Sequence, residues 1–247
     1  YPRKFTNFWA KNKGETVIKI AEILGGDLTS VDASLQSMNP ATLKAIKRDN
    51  ISQDDYKMFL RYLNKIGVDS DAEMIMGMAE ETLESYFNAQ VELFKEDAGQ
   101  IVNYHCRILK GAEMSDPKDI KKYNVKTKFR LIDTQYGEYK FGDDRFIAIE
   151  SEEMVKSNST MSEEDLFYLR DLCWLIQFGW NYKYQVGLLK YVRSNNINPA
   201  DFLDYALKNI DNAPKKVKKL IQDFRHDSRR EWFPTREALV EYYSKPE

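Results

Sequence analysis

Short apolar segments alternate with amphipathic helical segments through the first part of the chain, up to about residue 110. This alternation favours an α/β fold, because strands separated by helices pair in parallel and use the helices as crossovers. Strands are predicted at Phe5–Ala10, Leu28–Ala33, Ala72–Met76 and Ile101–Ile108. Four strands are too few to close a barrel, so we expect the rest of the sheet to lie outside this chain.

The helices between these strands carry recognisable end signals. Glu15–Leu24 has an apolar stripe and stops before a Gly-Gly pair. Asn39 precedes Pro40 in the pattern of an N-cap followed by proline at the first helical position. Ser52–Ile66 opens with a capping pattern, and Glu80–Lys95 places its apolar residues on one helical face. The loops after the carboxyl ends of the strands are therefore the expected place for functional groups.

The pattern changes after residue 115. Lys126–Ile132 and Glu138–Ile149 are predicted to form a short antiparallel excursion that turns around Gly137. From Glu150 the chain is predicted to be helical, with Ser162 capping the first long helix. We therefore predict three parts: residues 1–115, a β-rich connector over residues 116–160, and a helical extension over residues 161–247.

Composition limits the partners of this chain. A formal charge of -2 and an isoelectric point near 5.9 give no general attraction to nucleic acid or to an anionic membrane. No window approaches the roughly 18 apolar residues of a spanning helix, so we expect no transmembrane segment. The two cysteines, Cys106 and Cys173, are not a disulfide framework and indicate a reducing, cytoplasmic location. Two thiolates cannot hold an iron–sulfur cluster by themselves.

Four segments form an ordered set of motifs at natural spacings. They are Ala33–Pro40 followed by Leu43–Arg48, Ala72–Thr82, Tyr104–Gly111 and Thr160–Asp165. The first three resemble the fourth, fifth and sixth strand units of the barrel in the radical S-adenosylmethionine (SAM) family. The last is similar to the C-terminal extension of the cobalamin-binding subgroup of that family.

The resemblance implies both a fold and a chemistry. The fold is the C-terminal half of a partial TIM-type (β/α)6 barrel, followed by the β excursion and the helical extension. The chemistry is reductive cleavage of SAM, bound to a 4Fe-4S cluster, to a 5′-deoxyadenosyl radical that abstracts hydrogen from a small-molecule substrate. Membership of the subgroup would add cobalamin as a possible second cofactor, with methylation or carbon–carbon chemistry.

The resemblance also assigns candidate cofactor-binding residues. Gln36 and Arg48 would help to hold the ribose and the methionine carboxylate of SAM, since an amide bridges hydroxyls and a guanidinium offers paired donors. Glu73 would accept hydrogen bonds from ribose hydroxyls, and Gly77 would let the backbone approach adenine. The structural alternatives are that Gln36 satisfies backbone groups at a strand end, Arg48 interacts with a helix dipole, Glu73 flanks its strand and Gly77 makes a tight turn.

Other side chains near these motifs are interpreted as structural. His105 and Cys106 are expected to pack in the core, while Tyr104 is ambiguous between the core and the barrel mouth. A third possibility, that Glu80 and Glu81 act as acid and base of a different α/β enzyme, is disfavoured because adjacent helix residues point in different directions.

The sequence departs from the family pattern in ways that limit the prediction. Ala79-Glu80 stands where the family usually has Pro-Gly, and Gly111-Ala112 replaces the customary Gly-Thr. The three-cysteine cluster motif is absent, and no metal ligand is assigned. We therefore expect a fragment whose partner is the missing N-terminal half of the same protein, and which is inactive alone. The rival hypothesis is a non-catalytic interaction module derived from such an enzyme.

Overall fold

Three parallel strands form the central sheet of the computed structural model, which describes residues 14–27, 29–32, 34–48 and 52–245. Strand β1 is Val31–Asp32, β2 is Ser70–Met76 and β3 is Gln100–His105, in the order β1-β2-β3. Val31 pairs with Ser70, and Met76 pairs with His105. The parallel pairing confirms the prediction of a mixed α/β fold. The predicted strand at Phe5–Ala10 lies outside the described residues.

Four helices connect and flank these strands. They are α1 (Gly14–Leu24), α2 (Pro40–Ala45), α3 (Gln53–Lys65) and α4 (Leu83–Lys95). Three of the predicted helix starts are confirmed, including the caps of α2 by Asn39 and of α3 by Ser52. The fourth was placed too early: α4 starts at Leu83 because Thr82 and Ser85 form a capping box, and Glu80 has a positive φ of 62°.

The sheet has two unlike faces. Ala72, Met74 and Met76 alternate along β2 and are buried against the helices. The intervening Glu73 and Ile75 point to the opposite face and are only partly buried. Parallel sheets are usually covered on both faces. Here the second face of the sheet lines a cleft.

The predicted antiparallel excursion is longer than expected. After α5 (Pro117–Lys122), β4 runs over Lys126–Phe141 and pairs with β5 over Asp144–Ser157. The predicted turn at Gly137 is wrong, because the strands reverse after Phe141, where Gly142 has a φ of +62°. Helical structure was also predicted too early, since β5 continues to Ser157. The base of this hairpin is joined to the segment after β3, where the Ile108 amide donates to the Glu153 carbonyl at 2.8 Å.

The C-terminal extension contains five further helices with a π-helical turn after the first. They are α6 (Glu163–Ile176), the turn Gln177–Asn181, α7 (Val186–Ser194), α8 (Pro199–Lys208), α9 (Lys215–Arg230) and α10 (Arg236–Tyr243). Leu169 and Ile176 of α6 are fully buried in the same apolar cluster as Met74 of β2 and Leu93 of α4. The extension therefore completes the core beneath the sheet.

Within the described ranges the sheet stays open, because its three strands do not close on themselves. The partial (β/α)6 barrel and the division at residues 115 and 160 remain predictions. No helix in the described part of the chain combines the length and apolar composition needed to cross a bilayer.

Candidate functional site

A cleft of about 560 Å³ opens at the carboxyl ends of the three strands. Its volume is in the usual range of small-molecule sites. Three of the four predicted site residues line it, namely Gln36, Arg48 and Glu73. Its apolar part includes Ile75 and Met78. The cleft thus combines apolar walls with charged side chains of both signs, which include Arg48, Arg107 and Glu73.

Gln36 is held in the cleft by its own main chain. Its amide donates to the Glu73 carbonyl at 2.9 Å, and its carbonyl accepts from the Ile75 amide at 2.9 Å. These bonds are made by the main chain of Gln36, so they do not show the alternative role in which its side chain would satisfy backbone groups at a strand end. Its φ is +65°, a conformation that non-glycine residues rarely adopt. Gln36 lines the cleft, and no hydrogen bond joins its side-chain amide to another of the described residues.

Glu73 is the centre of a polar cluster on the cleft face of the sheet. The Ser34 hydroxyl lies within hydrogen-bond reach of Glu73 and, at 2.7 Å, of Asp32 on β1. The Tyr104 hydroxyl of β3 donates to Glu73 Oε1 at 3.2 Å. Burial raises the pKa of Tyr104, and the Glu73 carboxylate raises it further. A carboxylate has about four acceptor positions, so Glu73 can accept further hydroxyls.

Arg48 follows the last turn of α2. Its amide donates to the Leu43 carbonyl at 2.9 Å, so its backbone ends the helix. The neighbouring Lys47 pairs with Glu113 at 2.9 Å on the surface. Arg48 forms no such ion pair within the described ranges, although its side chain lines the cleft. A half-buried guanidinium of this kind is suited to a carboxylate ligand.

Gly77 begins the loop between β2 and α4, which we call the β2–α4 loop and define as Gly77–Glu81. Gly77 has a φ of +86°, and a Cβ there would lie 3.3 Å from the side chain of Leu166. The tight-turn interpretation is therefore confirmed. Gly77 itself lies beside the cleft, whereas the following Met78 and Ala79 line it. Close approach of Gly77 to adenine remains a prediction.

Glu81 is buried and structural. Only 1% of its surface is exposed, and its carboxylate accepts from the hydroxyls of Ser37 and Ser85. Burial raises its pKa, and the two hydroxyls oppose that change. This carboxylate ties the segment after β1 to the start of α4. The arrangement gives no support to Glu80 and Glu81 as an acid–base pair.

The two cysteines do not fit an iron–sulfur cluster. Cys106 and Cys173 are both buried in apolar surroundings, which raises the pKa of Cys106 to about 12 and that of Cys173 as well. Buried thiols with raised pKa values are poor metal ligands. No group of three or more His, Cys, Asp or Glu side chains in the described part of the chain is placed to hold a metal ion.

His105 is partly buried and lines the cleft, so the prediction of a core histidine holds only for the side of the ring that packs on the protein. One ring nitrogen, Nε2, is 2.6 Å from the Val155 carbonyl, and the ring packs on Trp232. Burial lowers the pKa of His105 to about 3, so the ring is neutral at physiological pH.

Sequence reasoning missed the residues that hold the β2–α4 loop from the far side. Asn158 of the hairpin end and Thr160 before α6 bond to carbonyls of this loop. The only local signal was an Asn followed two residues later by Thr ahead of the Ser162 cap, a pattern typical of a side-chain-stabilised turn. That signal predicts a turn and says nothing about its tertiary partner.

The comparisons with known proteins relate this chain to radical SAM enzymes. It is 26% identical over 129 residues to the cobalamin-dependent radical SAM methyltransferase TokK of Streptomyces tokunonensis, a match that covers 51% of this chain and 19% of TokK. The family relationship predicted from the motifs is thereby confirmed over about half of the chain. The chain spans less than a fifth of the length of this relative. No protein-family model matches the sequence.

Two solved structures show partial similarity. Elp3 of the archaeon Methanocaldococcus infernus matches over 44% of this chain and 25% of its own, with 23% identity and a TM-score of 0.34. The radical SAM methyltransferase TsrM of Kitasatospora setae matches over 49% of this chain and 24% of its own, with 16% identity and a TM-score of 0.36. Both TM-scores are too low to establish a shared overall fold.

Proposed function

We propose that this chain is the C-terminal part of a radical SAM enzyme and that its cleft contributes to the binding of SAM. The observation that supports this most is the meeting of Gln36, Arg48 and Glu73 in one cleft at the carboxyl ends of parallel strands. These residues lie up to 37 positions apart in sequence, from 36 to 73, and they were assigned from motifs alone. Convergence of polar groups at that edge of a sheet is typical of ligand sites in α/β folds.

The three predicted residues of the cleft each have a role that their surroundings allow. Arg48, which has no acidic partner among the described residues, would bind the methionine carboxylate. Glu73, held by Ser34 and Tyr104, would accept from ribose hydroxyls. Gln36, which lines the cleft, would offer its amide to either group. The apolar wall that includes Ile75 and Met78 would contact the adenine ring.

SAM would supply the radical chemistry when it is cleaved by an electron from a cluster. Cys106 and Cys173 do not fit that cluster, so we propose that its ligands belong to the N-terminal half of the whole protein. The isolated chain would then bind SAM weakly and would not turn it over. The TokK match supports cobalamin-dependent methyl transfer as the reaction of the whole protein, and no residue of this chain is assigned to cobalamin.

Calorimetric titration of the 247-residue chain with SAM tests this proposal. We expect saturable binding that Arg48→Ala weakens about tenfold, since a charge-assisted hydrogen bond contributes about 1.5–3 kcal/mol. Arg61→Ala is the matched control. Arg61 is also a surface arginine, but it lies on α3 and pairs with Glu96, the C-cap residue of α4, outside the cleft.

Two results would contradict the proposal. One is absence of saturable SAM binding by the folded chain. The other is an equal effect of the Arg48 and Arg61 substitutions. Either result would favour the non-catalytic interaction module.

A further inference from the structure

Asn158 is buried at the junction of the hairpin, the helical extension and the β2–α4 loop. Its Nδ2 donates to two loop carbonyls, those of Gly77 at 3.1 Å and Met78 at 3.0 Å. Its Oδ1 accepts from the amides of Thr160 and Met161, both at 2.9 Å. One amide side chain thus bonds to the loop with its nitrogen and to the extension with its oxygen.

Thr160 adds a third bond to the same loop. Its hydroxyl donates to the Glu81 carbonyl at 2.6 Å. From the opposite side, Nδ2 of Asn39 donates to the Glu80 carbonyl at 3.0 Å. The loop is therefore held at four of its carbonyls, three of them by residues 158–160.

The loop has a backbone that requires such support. Gly77 and Glu80 both have positive φ values, +86° and +62°, and the second is unfavourable for a residue with a side chain. Strained backbone of this kind persists only where the surroundings fix it. Met78 and Ala79, between the two positions, form part of the cleft wall. The bonds from Asn158 and Thr160, between the hairpin and the extension, therefore fix the shape of that wall.

We infer that Asn158 is a positioning residue: through it, the C-terminal extension sets the conformation of the β2–α4 loop and hence the ligand affinity of the cleft. This inference rests on the proposed function only for the identity of the ligand. The loop geometry itself does not depend on what the cleft binds.

The chemistry of asparagine suggests a selective substitution. Asn158→Asp keeps the oxygen that accepts from Thr160 and Met161 and removes the two donations to Gly77 and Met78. It also places a carboxylate oxygen against those two carbonyl oxygens, which repel it. The turn at the start of the extension is retained while the loop loses its anchor.

Asn181, in the extension, provides a matched control. It is 8% exposed, compared with 9% for Asn158. Its Oδ1 accepts from the Ile101 amide and its Nδ2 donates to the Ile101 carbonyl, both at 2.9 Å. These bonds lie near the amino end of β3, away from the cleft. Asn181→Asp therefore removes an equivalent buried donation without touching the loop.

Hydrogen exchange followed by mass spectrometry, with SAM titration of the same samples, tests the inference. In Asn158→Asp we expect exchange of the peptide over residues 76–82 to rise about tenfold or more, and SAM affinity to fall by a similar factor. In Asn181→Asp the exchange increase should lie around β3, with loop exchange and SAM affinity unchanged. Thr160→Val, which removes one loop bond, should give an intermediate result and covers the case in which Asn158→Asp fails to fold.

Equal loop exchange in the wild type, Asn158→Asp and Thr160→Val would overturn the inference. The inference would also be overturned if the wild type binds SAM and Asn158→Asp shows faster loop exchange with the same SAM affinity. If the wild-type chain binds no SAM while Asn158→Asp still selectively loosens the loop, the proposed ligand is wrong and the positioning of the loop by Asn158 stands.

Discussion

His105 shows how one partly buried side chain makes the stability of this fold depend on pH. Its ring centroid lies 5.1 Å from that of Trp232, and its Nδ1 has no hydrogen-bond partner among the described residues. Burial lowers its pKa from 6.5 to about 3, and the nearby Arg170 and Arg130 also favour the neutral ring. The folded chain therefore resists protonation at a site where the unfolded chain accepts a proton near pH 6.5.

We predict that the stabilising contribution of neutral His105 is complete above pH 6.5 and declines as the pH falls from 6.5 towards about 3. In that range the unfolded state binds one more proton at this site, which lowers the free energy of unfolding by up to about 1.4 kcal/mol per pH unit. Urea unfolding at a series of pH values measures this. The free energy of unfolding of His105→Gln, which keeps a donor for the Val155 carbonyl, should fall less steeply with decreasing pH than that of the wild type. Parallel pH profiles for the two proteins would contradict the prediction.

At the residue scale, local motifs predicted some of the site and missed the rest for a physical reason. Gln36 follows β1, Arg48 follows α2 and Glu73 lies within β2, all in segments with local sequence signals, and the structure brings the three residues to one cleft. Asn158 was missed because its role depends on a contact with Gly77, 81 positions away. Spacing within a segment carries no information about such a contact.

At the scale of elements, helix α6 begins with a reciprocal cap. The Asp165 amide donates to the Ser162 hydroxyl at 3.1 Å, and the Ser162 amide donates to the Asp165 carboxylate at 2.8 Å. The cap was readable from the sequence because both partners lie within four residues. The cap fixes where α6 begins, directly after Thr160 and Met161.

We predict that Ser162→Ala lowers the free energy of unfolding by about 1 kcal/mol. The Asp165 amide loses its acceptor, and the Asp165 carboxylate, which accepts from the amide of residue 162, loses its bond to the Ser162 hydroxyl. Thr235→Ala is the comparison. Thr235 accepts from the Ala238 amide at the same 3.1 Å but has no reciprocal bond, so its removal should cost less. Chemical denaturation of both variants measures the difference, and an equal or larger loss for Thr235→Ala would refute the reciprocal role of Asp165.

The hairpin shows why element boundaries could not all be predicted. Gly137 looked like a turn residue, but it lies inside β4, where a Cβ would come within 2.7 Å of the Tyr139 ring. This glycine makes room for an aromatic side chain. The strand pairing also shifts between Leu131 and Tyr136, which breaks the alternation on which strand prediction depends.

At the scale of the whole molecule, the sheet and the extension share one core. The Trp180 indole donates to the Ala98 carbonyl at 3.0 Å, and its ring packs on Phe94 of α4. The alternation of strands and helices predicted the sheet, and the helical periodicity predicted the extension. Their packing against each other was not predictable, because periodicity shows that a face is apolar without showing what covers it.

We predict that anaerobic treatment of the whole 247-residue chain with iron and sulfide yields no four-iron cluster. The reason is that both thiols are buried, and a cluster requires more cysteine ligands than the sequence has. Iron and sulfide analysis, with the Cys106→Ser variant as the background control, measures this. A stoichiometric four-iron cluster that disappears in Cys106→Ser would overturn the assignment of the cluster ligands to another part of the protein.

The position of Asn181 and Trp180 in the chain has a consequence for synthesis on the ribosome. Asn181 bonds to Ile101 of β3, and Trp180 bonds to Ala98 just before β3. These partners are translated 80 and 82 residues earlier than Asn181 and Trp180. At about 5–20 residues per second, roughly 4–16 seconds pass between the emergence of β3 and that of its cover. During this interval the nascent strands expose the apolar face that α6 later buries. The folding yield in cells should therefore depend on chaperones that protect that face until translation passes residue 181.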